Sequence, residues 1–117
     1  MLAKKFRLTG QKNFEKVEKL GETFQSNNFG IAYLDRGDKN PPRFAFVVST
    51  KISKEAVDRN TIKRHISETV RLMVGEIKEG LDVVFLAKTT IIRCPADEIV
   101  REVRTAIRAS GIAKQNE

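Results

Sequence analysis

The chain has 117 residues, of which 40% are hydrophobic and 32% are charged, so it is long enough for one modest hydrophobic core. Its 22 lysines and arginines outnumber its 15 aspartates and glutamates, and the resulting net charge of +7 favours a polyanionic partner. No apolar run approaches the ~18 residues of a membrane span, and a single cysteine excludes an internal disulfide. We therefore expect one cytoplasmic domain over residues 1–117, with no membrane contact.

The N-terminal region is basic and leads into a short helix. Residues 1–12 contain four lysines and arginines and no acid, which predicts a basic arm that is either a solvated terminus or part of a binding surface. Phe14 and Val17 then share one face of a short helix, predicted from Asn13 to Leu20.

Two strands are predicted next. In residues 24–34, Phe29, Ile31 and Tyr33 alternate with small residues, and this period of two is typical of a strand. A polar turn separates this segment from a second apolar run over residues 43–49. We predict that the two strands pair as an antiparallel hairpin with a long loop.

The longest helical pattern lies between Lys51 and Lys78. Its apolar stripe on a 3.6-residue period consists of Ile62, Ile66, Val70, Met73 and Ile77. At about 100° per residue, the adjoining edge of the helix wheel consists of Arg59, Asn60, Lys63, Arg64, Ser67 and Arg71. Such a cationic and amide edge follows a phosphate backbone while the buried stripe fixes its direction.

The C-terminal third predicts one strand and one helix. The apolar run over residues 81–87 favours a central strand, and Pro95 is suited to the first turn of a last helix that Gly111 ends. Residues 112–117 are expected to form a loose tail. The order helix, strand, strand, helix, strand, helix predicts an α+β fold in which helices cover a sheet.

The sequence offers little for catalysis by the protein itself. The lone histidine, His65, has basic neighbours and no obvious nucleophile, and Cys94 is more typical of packing than of a reactive thiol. The chain has no glycine-rich phosphate loop, and its single cysteine and histidine argue against a zinc site. The basic helix edge is therefore the main functional feature, with an ordinary solvated surface as its alternative.

Residues 46–64 closely resemble the signature of the bacterial ribonuclease P protein subunit. In that family a strand ending in Val-Ser-Lys-Lys leads through an Ala-Val step to Arg-Asn-Arg-x-Lys-Arg, and here the run reads FVVSTKISKEAVDRNTIKR. Residues 6–8, 13–17 and 80–85 are similar to further parts of the family pattern. The resemblance spans residues 6–108 in order and with family-like spacing.

The resemblance implies a small α–β sandwich with a mixed sheet and a left-handed β-α-β crossover through the motif helix. It also implies a function: the chain binds a large catalytic RNA and helps that RNA to remove the 5′ leader from precursor tRNA. The active site of this endoribonuclease, with its magnesium ions, then lies mainly in the RNA. No other protein partner is required.

By position, the resemblance assigns RNA contacts to Arg59, Asn60, Lys63, Arg64 and Lys51. Lys54 and Arg71 extend the same positive surface along the chain, so we add them to the predicted RNA-binding residues. The resemblance also assigns leader contacts to Phe14 and, with weaker alignment, to Phe29 and Tyr33, and stacking on a single strand suits such aromatic rings. For Phe14, an ordinary core position is the open alternative.

Three positions depart from the family pattern. Thr61 replaces an arginine of the motif, Ser67 replaces a commonly basic residue, and Glu18 replaces a frequent second aromatic. These changes remove charge or stacking and so bear on affinity, without changing the type of partner. Two other functions stay open: a general RNA-binding module of ribosomal-protein type, and a small self-sufficient nuclease, for which the sequence lacks clustered carboxylates or a histidine pair.

Overall fold

The computed structural model describes residues 2–114, which form three helices and four strands. The strands are β1 (Glu22–Gln25), β2 (Phe29–Asp35), β3 (Arg43–Val47) and β4 (Leu81–Ala87). The helices are α1 (Gln11–Leu20), α2 (Ala56–Met73) and α3 (Ala96–Ala109), with short 3₁₀ turns at Lys4–Phe6, Val74–Glu76 and Thr89–Arg93. The predicted α+β fold is confirmed. No helix in this described part of the chain is both long and apolar enough to cross a membrane.

The strands form one mixed sheet in the order β1-β2-β4-β3. β2 pairs antiparallel with both β1 and β4, whereas β3 and β4 are parallel. Parallel neighbours need a crossover connection, and α2 supplies it between β3 and β4. The motif helix is therefore the crossover helix that the resemblance implies, and β4 is a central strand as predicted.

Two of the strand predictions were wrong. The segment over residues 24–34 contains two strands, because the chain turns back at Ser26 and Asn28. The Ser26 N–H donates to the Phe29 carbonyl at 2.8 Å across this turn. The predicted hairpin of β2 and β3 does not form, because β4 lies between them.

The two faces of the sheet carry separate hydrophobic clusters. On the face under α2 and α3, Phe29 of β2, Phe44 of β3 and Phe85 of β4 are buried. The predicted stripe of α2 is buried there in full, and it extends to Ile77 just beyond the helix. On the opposite face, α1 packs through Val17 against a smaller cluster of residues.

The N-terminal arm is packed rather than solvated. Leu2 and Leu8 are buried, and the Leu8 N–H donates to the Phe44 carbonyl at 2.8 Å. Arg7 forms a parallel bridge with Phe44, so the arm runs along the outer edge of β3. Apart from Met1, which lies outside the described residues, the arm is thus part of the fold.

The C-terminal segment is also packed, and the prediction of a loose tail was wrong for residues 112–114. Gly111 adopts a φ of +91°, a conformation that favours glycine, and turns the chain back toward the core. Ile112 is fully buried, and Ala113 forms an antiparallel bridge with Ile77. Residues 115–117 of the predicted tail lie outside the described part of the chain.

Candidate nucleic-acid interface

The first half of α2 carries the accessible part of the cationic edge. Asn60 and Arg64 are exposed, and Lys63 is half-buried beside the N-terminal arm. Within residues 2–114, none of these three side chains has a hydrogen-bond or ion-pair partner. Because the opposite side of α2 is buried in the core, their donors are held on a rigid element and stay available to a ligand.

Arg59 has a second role in addition to its charge. Its side chain is half-buried, and its Nη1 donates to the Ser53 carbonyl at 2.9 Å. The Ser53 hydroxyl donates to the Asp58 carboxylate at 3.0 Å and accepts the Glu55 N–H at 3.1 Å. These bonds fold the segment between β3 and α2 against the first turn of the helix, so Arg59 positions this segment as well as adding charge.

The connecting segment adds two exposed lysines to the edge. Lys51 and Lys54 both lie between the end of β3 and the start of α2, in the stretch that Arg59 holds. The structure therefore brings together six of the seven predicted RNA-binding residues, at the end of β3 and the beginning of α2. They are Lys51, Lys54, Arg59, Asn60, Lys63 and Arg64.

The second half of α2 differs from the prediction. Arg71 lies about 10 Å further along the helix than Arg64, and its Nε and Nη2 donate to the Glu68 carboxylate at 3.1 and 3.0 Å. Ser67, expected on the exposed edge, is buried, because the N-terminal arm lies against this side of α2. Its hydroxyl donates to the Arg64 carbonyl at 3.2 Å.

One contributing residue was missed by the sequence reasoning. Arg7 is exposed in the N-terminal arm and lines the same groove as Lys63. Its Nε donates to the Leu2 carbonyl at 3.0 Å, which orients the guanidinium. The basic composition of residues 1–12 was a signal for it, but composition alone does not show where an arm lies.

The three predicted leader-binding aromatics do not converge. Phe14 is half-buried on α1, whereas Phe29 and Tyr33 lie on the opposite face of the sheet, under α2 and α3. Phe29 is fully buried in the core, so its prediction as a leader contact was wrong. The Tyr33 hydroxyl lies 2.8 Å from the Glu22 carboxylate and 2.9 Å from the Ser110 carbonyl, so its single proton is shared between these two acceptors. The bond to Glu22, together with burial, raises the pKa of Tyr33 above its usual value.

The sheet face under α1 is only partly covered. Around a few buried residues it presents half-buried apolar side chains from α1 and from three strands. These are Phe14, Leu34, Ala45, Val47 and Leu86. This face offers an apolar surface beside Phe14, and its strand residues were not among the predicted leader contacts.

The acids of the described residues do not form a metal site. No three His, Cys, Asp or Glu side chains of residues 2–114 come together in an arrangement that could hold an ion.

Comparison with known proteins decides the family. A family model described as Ribonuclease P matches residues 2–110. The chain belongs to the ribonuclease P protein family. It is 34% identical over 111 residues to the ribonuclease P protein component of Clostridium kluyveri, which covers 93% of this chain and 97% of that one. The resemblance drawn from residues 46–64 is thereby confirmed.

Solved structures of the ribonuclease P family share the fold. The Staphylococcus aureus RNase P protein matches with a TM-score of 0.87 at 20% identity, over 93% of this chain and 98% of that one. The Thermotoga maritima RNase P protein matches with a TM-score of 0.79 at 23% identity, over 88% and 96% of the two chains. The chain is thus a protein subunit of ribonuclease P, an endoribonuclease of tRNA processing, and its partner is an RNA subunit.

Proposed function

We propose that the chain anchors itself on the catalytic RNA through the α2 edge formed by Lys51, Lys54, Arg59, Asn60, Lys63 and Arg64, and that the polypeptide itself breaks no bond. The observation that carries this proposal is the absence, within residues 2–114, of any side-chain partner for Asn60, Lys63 and Arg64. Guanidinium groups form forked hydrogen bonds with phosphate oxygens, and an amide can both donate and accept. Each neutralised phosphate releases counterions, so binding is expected to weaken steeply as salt is added.

The partly open face under α1 is the proposed contact for the 5′ leader of precursor tRNA. Phe14, Val47 and Leu86 supply apolar surface for unpaired bases, which pack on such side chains without sequence preference. Glu18 is exposed one turn after Phe14 and adds a negative charge near this surface. We therefore expect leader binding to be weaker than it is with a neutral residue at position 18.

In this proposal the active site and its magnesium ions belong to the RNA subunit. The protein contributes by neutralising phosphates close to the cleavage site, which raises the affinity of the holoenzyme for precursor tRNA and for magnesium.

Reconstitution at low magnesium tests the anchoring role. The chain is mixed with the catalytic RNA and a precursor tRNA, and removal of the leader is measured together with the salt dependence of RNA binding. In the variant with Arg59→Ala, Asn60→Ala and Arg64→Ala, we expect the stimulation to be lost and the salt slope to flatten. A second variant with only Asn60→Ala and Arg64→Ala leaves the bond from Arg59 to Ser53 intact and separates lost contacts from a disordered loop.

The matched control lies on α3, where Arg101, Arg104 and Arg108 are exposed and share one side of the helix. Replacing these three by alanine removes three positive charges, one more than the triple α2 variant, but is expected to leave processing close to wild type. Unchanged processing in the α2 variants, or an equal loss in the α3 variant, would contradict the proposal. Cleavage by the chain without any RNA subunit would instead identify a self-sufficient nuclease.

A further inference from the structure

A groove of about 260 Å³ lies beside the α2 edge, between the N-terminal arm, β3 and α2. We propose that this groove receives a single unpaired nucleobase of the RNA that the α2 edge holds. This inference rests on the proposed RNA-binding role of α2. The volume is just below the range of about 300–1,000 Å³ of typical small-ligand pockets, so it suits one planar ring rather than a large ligand.

The groove exists because the arm covers only part of the outer edge of β3. The arm pairs with the strand at Phe44, which accepts the Leu8 N–H at 2.8 Å. Backbone groups two residues apart on a strand point to the same side, so the N–H and C=O of Phe46 also face this outer edge. They lie where a donor and an acceptor can meet the polar edge of a base.

The interior of the groove is apolar and partly aromatic. Leu2, Leu8 and Phe44 are buried and form part of its lining. Phe46 is half-buried and stacks on Phe85 with ring centroids 5.6 Å apart and planes tilted by 27°. A base lying on the groove side of Phe46 would extend this stack by one ring, and every nucleobase has a face suited to such stacking.

Cations and hydroxyls surround this apolar interior. Arg7 and Lys63 line the groove together with Thr9 and Ser67, and none of the nine lining residues is an acid. By contrast, the hollow beside Tyr33 is lined by both Glu22 and Asp35 and is unsuited to an anion. An apolar interior between two cations matches the chemistry of a nucleotide, whose ring is flat and whose flanking phosphates are negative.

The small side chain of Ser67 leaves space in the groove. Ser67 is 3% exposed and lines the groove. A leucine at this position would occupy the space proposed for the base while leaving Arg7 and Lys63 in place. Ser67→Leu therefore separates the base pocket from the phosphate contacts.

The test uses the full chain and two RNA hairpins with the same stem, one fully paired and one with a single unpaired nucleotide. We expect wild type to bind the hairpin with the unpaired nucleotide at least about fivefold more tightly, the lower end of a stacking contribution. Ser67→Leu should remove this preference and leave the affinity for the paired hairpin unchanged. Lys63→Ala should weaken binding to both hairpins, and Thr105→Leu on α3 should change neither.

Two further measurements keep the result independent of folding effects. Thr9→Trp fills the groove from an exposed position and should abolish the preference in the same way as Ser67→Leu. A 2-aminopurine at the unpaired position should change its fluorescence on binding wild type but not on binding either filled variant. Circular dichroism of each variant confirms that the fold is kept.

Equal binding of the two hairpins by wild type, or a preference that survives both filling variants, would overturn the pocket. An extended peptide added to the edge of β3 is the competing occupant, and it predicts no difference between the hairpins. The hairpin assay needs no cleavage, so its failure is distinct from that of the proposed function. Stimulated leader removal without a hairpin preference rejects the pocket alone, and the reverse outcome rejects the role in leader removal.

Discussion

Two regions of the molecule use cationic side chains for opposite purposes. At one end of the sheet, Arg36 and Arg43 both donate to the carboxylate of Asp82, which is buried at the start of β4. On α2, Asn60, Lys63 and Arg64 have no side-chain partner within residues 2–114. The first region holds the fold together, and the second leaves its donors to a ligand.

The comparison shows that net charge does not locate a binding surface. Arg36 also donates to the Leu81 carbonyl at 3.0 Å and to the Pro41 carbonyl at 2.9 Å, so it ties the β2–β3 connection to the start of β4. Its donors are occupied, although it counts toward the net charge of +7 as fully as Arg64 does. What distinguishes the α2 edge is that its basic and amide side chains lie close together at the end of β3 and the beginning of α2, and that Asn60, Lys63 and Arg64 among them have no side-chain partner within residues 2–114.

The largest expected effect is the loss of stability on removing the buried carboxylate of Asp82. Asp82→Ala leaves Arg36 and Arg43 without their shared carboxylate, and removal of one partner of such a buried pair costs about 3 kcal/mol or more of the free energy of unfolding. Urea unfolding monitored by circular dichroism measures the loss. Asp97→Ala is the control, because its ion pair with Arg101 is exposed at 3.5 Å and should contribute less than about 0.5 kcal/mol. A similar small loss for both variants would contradict the distinction.

The next largest effect separates RNA binding from fold stability by comparing substitutions of two arginines, Arg64 and Arg43. Arg64→Ala should lower affinity for the catalytic RNA about tenfold at low salt and reduce the salt slope by about 1, with a change in stability within about 0.5 kcal/mol. Arg43→Ala should destabilise the fold and leave the salt slope unchanged, because its guanidinium is bound to Asp82 at 2.8 Å. Filter binding at several salt concentrations, combined with urea unfolding, measures both quantities. If both variants changed the salt slope and the stability to the same extent, the distinction between the two regions would be contradicted.

Arg71 lies between these two cases and should give an intermediate result. Its guanidinium donates twice to Glu68 in an exposed pair, so contact with a phosphate requires this pair to be given up or shared. Arg71→Ala is therefore expected to weaken RNA binding only about two- to threefold, because exposed pairs contribute little. The same filter-binding series provides the measurement, and a loss as large as that of Arg64→Ala would show that the pair does not restrain Arg71.

Local patterns predicted the elements that have long apolar repeats. The stripe from Ile62 to Ile77 identified α2 and its buried side, and the run over residues 81–87 identified β4 as a central strand. The family signature on residues 46–64 also located the cationic edge, because its residues follow one another closely in the chain. In these cases the decisive contacts depend on positions within one element.

Relations between distant segments could not be predicted in the same way. The pairing of β2 with β4 joins residues far apart in the chain, and no local pattern in β2 distinguishes β4 from β3 as its neighbour. The alternation of Phe29, Ile31 and Tyr33 predicted a strand, but the burial of Phe29 depends on α2 and α3, which no pattern within the strand shows. Ile112 follows a glycine in a polar stretch, and only the folded core shows that it is buried.

The smallest expected effect is the pH dependence of stability in the region where Arg36 pairs with carboxylates. The hydrogen bond from Arg36 holds the pKa of Asp38 below its ordinary value of 3.8. A carboxyl group with a lowered pKa in the folded state stabilises the fold above its unfolded pKa, and this contribution is lost as the pH falls through the folded pKa. The stability difference between wild type and Asp38→Asn should therefore be constant near neutral pH and shrink below about pH 4. Because Asp38 is exposed, we expect a small difference, measured by urea unfolding at several pH values. A difference that grows on acidification would show that Arg36 does not stabilise the ionised form of Asp38.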